Sequence, residues 1–167
     1  HDAVDIPMII YNIPGRSIVD MTVETMARLA ELPNVVGVKD ATNDLARPTR
    51  TKIACGPDFV QLSGEDGTSL GYLAQGGIGC ISVTANVAPK LCSMMHEAWM
   101  QNAIQTAQSI NEKLMPLHEA MFCEPSPAPA KYGASLLGKA TPEVRLPLVS
   151  ATPAAQDRIR NAMAHAG

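Results

Sequence analysis

Aromatic residues are scarce in this chain, with one Trp, three Tyr and two Phe among 167 residues. A core must therefore be packed by small aliphatic side chains, Ala and nine Met, and a hydrophobic content of 46% is ample for one. No basic tract is present, and 13 basic residues stand against 16 acidic ones for a net charge of -3. That balance excludes the electrostatic footprint of a nucleic-acid binder or of a polybasic membrane patch. No apolar run reaches the about 18 residues of a spanning helix. Cys55, Cys80, Cys92 and Cys123 show neither C-x-x-C nor metal-ligand spacing, so they read as free thiols in a reducing cytoplasm. His96, His118 and His165 fall in helical segments at no metal spacing and read as surface or packing residues. The first residues offer no initiator Met, no basic n-region and no apolar h-region. They read neither as a signal peptide nor as a natural start.

Short apolar runs alternate with helical spacings over the first half of the sequence. Strands are predicted at Met8 to Ile13, Val35 to Lys39, Phe59 to Ser63 and Cys80 to Val83, at intervals of roughly 20 to 27 residues. Between them lie helices expected over Val23 to Leu32, capped by Asp20 or Thr22, and over a segment opened by Asn43 or Asp44 with Pro48 in its first turn. Another is expected over Asp66 to Gln75, before the bulk-free turn Gly76-Gly77-Ile78-Gly79. This is the βαβ period of a parallel sheet, and four such units are half of an eight-stranded barrel. From Ala88 onward strand signals stop. Pro89 suits a first helical turn, with Leu91, Met94, Met95, Ala98 and Trp99 on one face. A second helix, Ala103 to Phe122, puts Ile104, Ala107, Ile110, Leu114, Leu117 and Met121 on its inner stripe, and this methionine-rich stripe reads as core rather than as a cofactor box. Pro125 to Pro129 reads as a stiff linker, Lys131 to Leu137 as a short helix stopped by Gly138, Pro147 as a break, and Thr152-Pro153 as the start of a last helix.

The run Val35-Val36-Gly37-Val38-Lys39-Asp40 ends on a cation at the carboxyl end of a strand, where parallel α/β folds do their chemistry. Alone, such a lysine reads as one that carries its head group out to water. A second strand changes that reading, because Met8-Ile9-Ile10-Tyr11 ends on a phenol and Arg16 follows. A primary amine attacks a ketone to form an imine, and the protonated imine is an electron sink that acidifies the neighbouring carbon. Attack requires the free amine, favoured by desolvation, and proton delivery, which a phenol on the adjacent strand can supply. A planar guanidinium suits a carboxylate.

Four motifs, Tyr11-Asn12-Ile13-Pro14-Gly15-Arg16, Gly37-Val38-Lys39-Asp40-Ala41-Thr42, Ser63-Gly64-Glu65-Asp66 and Ile81-Ser82-Val83-Thr84-Ala85-Asn86, occur in order. Together they resemble the dihydrodipicolinate synthase family of class I, pyruvate-dependent aldolases, and the similarity runs from about Pro7 to the end of the chain. The resemblance implies an α/β fold, the C-terminal half of a (β/α)8 TIM barrel, with strands 5 to 8 of the family within residues 1–88. Residues 89–167 would then hold the last barrel helix and the accessory C-terminal helices. It makes Lys39 the Schiff-base lysine for pyruvate, Tyr11 a proton relay and Arg16 the partner of the carboxylate of aspartate semialdehyde. Backbone groups of Gly64 and Ile81 would line the pyruvate pocket, while Ser82, Thr84 and Asn86 could be ordinary rim residues. No metal or other cofactor is expected, since the imine does the electron-sink work.

The family's preceding βα units, with a Thr-Thr pair, a tyrosine contributed across a dimer interface and most of the lysine feedback site, have no counterpart in these 167 residues. A complementary N-terminal half or further copies of the chain are therefore the expected partners, and the resemblance implies a cytoplasmic homotetramer. Two other readings stand beside this one. The first is a sialic-acid or keto-sugar-acid lyase of the same fold, which Arg16 argues against because such lyases typically lack arginine there. The second is a non-catalytic half-barrel that must assemble with a partner half.

Overall fold

The computed structural model describes residues 3–167. The chain divides between Ser82 and Val83 into two compact units. In the first, four parallel strands lie side by side in sequence order, β1 Met8–Asn12, β2 Val35–Asp40, β3 Val60–Ser63 and β4 Gly79–Cys80. Between them run α1 Pro14–Ser17, α2 Val23–Ala30, α3 Arg47–Cys55 and α4 Ser69–Ala74. The second unit holds a 3-10 turn, Thr84–Asn86, and four helices, α5 Pro89–Met100, α6 Ile104–Ala120, α7 Ala128–Leu136 and α8 Pro153–Ala166.

Register in the first unit follows from an irregularity near its start. Met8 pairs with Val35 but Ile9 with Gly37, so one extra residue of β2 is accommodated at that point. From there Ile10 faces Val38, Tyr11 faces Lys39 and Asn12 faces Asp40. Without the extra residue, Tyr11 would lie opposite Val38, whose side chain points to the other face. Gly37 beside this bulge has no room for a side chain, since a Cβ would stand 2.4 Å from the Val60 carbonyl oxygen. The alternation of a strand then separates two faces. Asn12, Val38, Asp40, Gln61 and Ser63 are buried, whereas Ile9 and Tyr11 are exposed.

Local chemistry accounts for most element boundaries. The Thr22 hydroxyl accepts from the Thr25 amide at 3.2 Å, capping α2 as expected of Thr22 rather than Asp20. The third helix begins at Arg47, not at Asn43 or Asp44. Asn43 adopts a left-handed φ of 62°, and Asp44 instead accepts from the Ala46 amide at 3.0 Å in the turn before the helix. Pro48 does sit in the first turn. The α4 helix starts at Ser69 because Asp66 is used in the preceding turn, its carbonyl accepting from the Ser69 amide and hydroxyl. The expected strand Cys80 to Val83 shrinks to Gly79–Cys80. One further rung forms, Ile81 amide to Ser63 carbonyl at 2.8 Å, before Val83 turns helical.

In the helical unit, Met95, Leu114, Leu117, Met121 and Ile159 are almost wholly buried and form the centre of one apolar cluster. The methionine stripe is thus core. Ile104 and Met94, expected to face inward, are exposed. His118 packs inside, its Nδ1 2.8 Å from the Thr84 hydroxyl. The proline-rich stretch is only in part a linker, because α7 starts at Ala128 and takes Pro129 into its first turn, where a missing N–H costs nothing. Thr152 caps α8 through the Ala155 amide. Cys55 and Cys123 are free thiols.

The bulge and its tight neighbour make a direct stability prediction. Gly37→Ala forces β2 and β3 apart, and urea unfolding is expected to show a loss of at least about 1 to 3 kcal/mol; an unchanged midpoint would contradict the close packing described.

Candidate active site

The strand alternation that buries Asn12 and Asp40 turns Tyr11 and Lys39 to the opposite face, side by side at the carboxyl ends of β1 and β2. There the Lys39 Nζ lies 3.9 Å from the centroid of the Tyr11 ring. The ring is about half exposed and the lysine half-buried. Gly64, just past the end of β3, makes space for the lysine chain. A Cβ there would stand 3.1 Å from Lys39 Cε and 2.9 Å from Ala41 Cβ. Its amide donates to the Asp40 carbonyl at 2.7 Å, which fastens this turn to the strand that bears Lys39. Ile81 continues the same strand-end row through its bond to Ser63, with its side chain exposed. Arg16 lies in α1, immediately beyond β1, and is exposed. The amine, the phenol and Gly64 are thus brought together, while Arg16 stands on the loop that leaves the strand carrying the phenol.

Beneath this face the structure holds a charged cluster that the sequence reading missed. The Arg47 side chain, with only 10% of its surface exposed, donates through Nη1 to Asp20 Oδ2 at 2.9 Å. Its Nη2 donates to the Met21 carbonyl, and its Nε lies 3.7 Å from Asp40 Oδ2. Asn12 Nδ2 donates to Asp20 Oδ1 at 2.8 Å, and its own oxygen accepts from the Met21 amide at 3.1 Å. Burial pushes the Asp40 carboxyl above its ordinary value, although the Thr42 hydrogen bonds and the Arg47 charge pull the other way. For Asp20 desolvation also acts upward, but the hydrogen bonds from Asn12 and Arg47, with the guanidinium charge, hold it below the usual value. Burial, then the neighbouring Asp66 charge, raises Glu65. The signal for the cluster was present in the sequence, since a polar Asn12 and Asp40 end apolar strands on the face that the helices cover.

Among the described residues no group of His, Cys, Asp or Glu could hold a metal ion, and no helix is long and apolar enough to cross a membrane.

A parallel sheet in sequence order, with an amine and a phenol facing each other at its carboxyl edge, defines an α/β protein whose candidate site lies on the rim of strand ends, the edge that barrel enzymes use. Comparison with known proteins narrows the class. The Dihydrodipicolinate synthetase family model matches residues 2–166, and the chain belongs to that family. It is 61% identical over 167 residues to the 4-hydroxy-tetrahydrodipicolinate synthase of Rhodospirillum centenum, covering all of this chain and 57% of the relative. Among solved structures, the dihydrodipicolinate synthase of Thermotoga maritima matches with a TM-score of 0.95 and 36% identity, over 99% of this chain and 58% of that one. The enzyme of Acinetobacter baumannii, solved in complex with pyruvate, matches with a TM-score of 0.94 and 39% identity, over 99% and 57%. The chain therefore spans a little over half the length of these relatives, and its fold is the C-terminal half of their barrel followed by their C-terminal helices.

The space kept free by Gly64 yields a second prediction. In Gly64→Ala the new methyl displaces Lys39 from the Tyr11 ring. A crystal structure of the variant is expected to show an Nζ-to-centroid separation clearly beyond 3.9 Å; an unmoved lysine would mean that the glycine has another purpose.

Proposed function

We propose that this chain carries the imine-forming part of a dihydrodipicolinate synthase site, which condenses pyruvate with aspartate semialdehyde. The observation that carries the reading is the contact of Lys39 Nζ with the Tyr11 ring at strand ends in a member of this family. Lys39 adds to the pyruvate ketone, water leaves, and the resulting imine loses a proton from the methyl carbon. The enamine so formed attacks the aldehyde carbon, whose oxygen takes up a proton as the new carbon–carbon bond closes, and addition of water or of the second substrate's own amine to the regenerated imine carbon expels Lys39 as the free amine. Tyr11 moves the protons that formation and collapse of the carbinolamine require. Backbone groups of Gly64 and Ile81 line the pocket for pyruvate, and Arg16 pairs with the carboxylate of the aldehyde substrate.

The exposed Ile9, Tyr11 and Ile81 of the sheet face support a second part of the proposal, that further barrel strands cover this face. A complementary N-terminal half of the barrel, or other copies of the chain, supplies them and the remaining acid-base groups. The completed barrel works as a cytoplasmic homo-oligomer, a homotetramer in this reading.

Borohydride reduction in the presence of pyruvate tests the assignment on the completed barrel. Mass spectrometry should find a reduced pyruvyl adduct on Lys39, and Lys39→Ala should abolish it. Arg16→Ala should keep the adduct while raising the KM for aspartate semialdehyde roughly ten- to hundredfold, the cost of a charged hydrogen bond. An adduct that persists in Lys39→Ala, or an unaltered KM in Arg16→Ala, would refute the respective role. The isolated chain should turn over at least about 100-fold more slowly than the completed barrel, because acid-base groups are missing; equal rates in a side-by-side assay would overturn that part.

A further inference from the structure

The loop that carries Arg16 is closed at its base by the buried cluster. Asn12, the last residue of β1, reaches across eight positions to Asp20 Oδ1 and accepts from the Met21 amide. Arg47 takes the other oxygen of Asp20 and the Met21 carbonyl, and turns its Nε toward Asp40, the residue directly after Lys39. The two ends of the segment Ile13 to Val19 are thus tied to each other and to the strand that bears the amine. Within the segment, the amides of Arg16 and Ser17 donate to the Ile13 carbonyl and that of Ile18 to the Pro14 carbonyl. The Ser17 hydroxyl spans from the Ile13 carbonyl to that of Val19 at 2.9 Å each. Ile18 holds a left-handed φ of 64°, a conformation a β-branched residue adopts only where its surroundings impose it, and its side chain is 86% exposed. Ile18 is the left-handed C-cap of α1, so its conformation belongs to the turn that ends the helix and not to packing of its side chain.

Arg47 and Asp40 are buried while Asp20 is 44% exposed, and desolvation of the buried charges offsets much of their attraction, so the cluster ties three chain segments together at little net gain in stability. We propose that Arg47, acting through Asp20, is a positioning residue for Arg16, holding the loop so that the Arg16 guanidinium meets the carboxylate of the second substrate at a fixed place relative to Lys39. Its contribution is to the specificity of the second half-reaction and not to imine formation. This inference rests on the assignment of Arg16 to that carboxylate.

The test compares Asp20→Asn, Arg47→Met and Arg47→Lys in the complete protein, with two readouts. Amide hydrogen exchange reports the loop directly, and exchange at Arg16, Ser17 and Ile18 is expected to accelerate about tenfold or more in the first two variants while the amides of β1 and β2 stay protected. In kinetics, the KM for aspartate semialdehyde is expected to rise about tenfold or more, with the rate of pyruvate trapping by borohydride held within about twofold. Arg47→Lys, which keeps the charge but not the fork, should lie between wild type and Arg47→Met. Should Arg47→Met not fold, Asp20→Asn decides the matter, since the Asp20 side chain is 44% exposed. Unchanged exchange at residues 16–18 in a folded Asp20→Asn protein would overturn the proposal. So would a fall in trapping that matches the loss in the second substrate, the mark of a merely structural cluster. Absence of any adduct in the unaltered protein would strike instead at the reading of Lys39, and the exchange data would still decide the clasp.

Discussion

Hydrogen-bonded pairing between the first two strands is the constraint on which the rest depends. In a parallel pair the side chains at paired positions share a face, so the register alone decides which residues meet. The extra residue of β2 near Met8 sets that register, and three residues later it brings a phenol opposite an amine. The same step sends Asn12 and Asp40 to the reverse face, where they become the strand ends of a buried ion cluster. One irregularity thus organises both sides of the sheet.

The two sides have opposite physical characters. The face with Tyr11 and Lys39 is open, and its apolar neighbours Ile9 and Ile81 are in contact with water. The reverse face is closed by helices, and its charges are compensated within a few ångströms by a guanidinium, an amide and backbone groups. Desolvation at Asp40 is offset only in part, which is why its carboxyl remains above the ordinary value, whereas Asp20, nearer to water, stays below its own. Rigidity beneath and openness above suit the proposed site, since the groups on the open face are held from below by the paired charges.

Much of the architecture was legible along the chain. The βα period, the proline starts at Pro89 and Pro153 and the caps at Thr22 and Thr152 came through, because each depends on the residue itself and its near neighbours. Boundaries failed where a local group had a competing use. Asp44 and Asp66 spend their hydrogen bonds in turns, so α3 and α4 start late. The fourth strand stops early because pairing partners on β3 run out after Ser63. Ile104 and Met94 share the spacing of buried residues yet stay more than a third exposed, which spacing cannot disclose.

Residue types and their order determined the family, the succession of strands and helices, and the identity of the amine, phenol and guanidinium at the strand ends, since all of these are encoded in short contiguous stretches. Only the tertiary structure decided that Tyr11 and Lys39 touch and that Gly64 leaves the lysine its room. It alone joined Asn12, Asp20, Asp40 and Arg47, as far apart as positions 12 and 47, in one cluster. The reason is that contact between distant positions depends on strand register and helix placement, and these are settled by the simultaneous burial of many side chains rather than by any one segment.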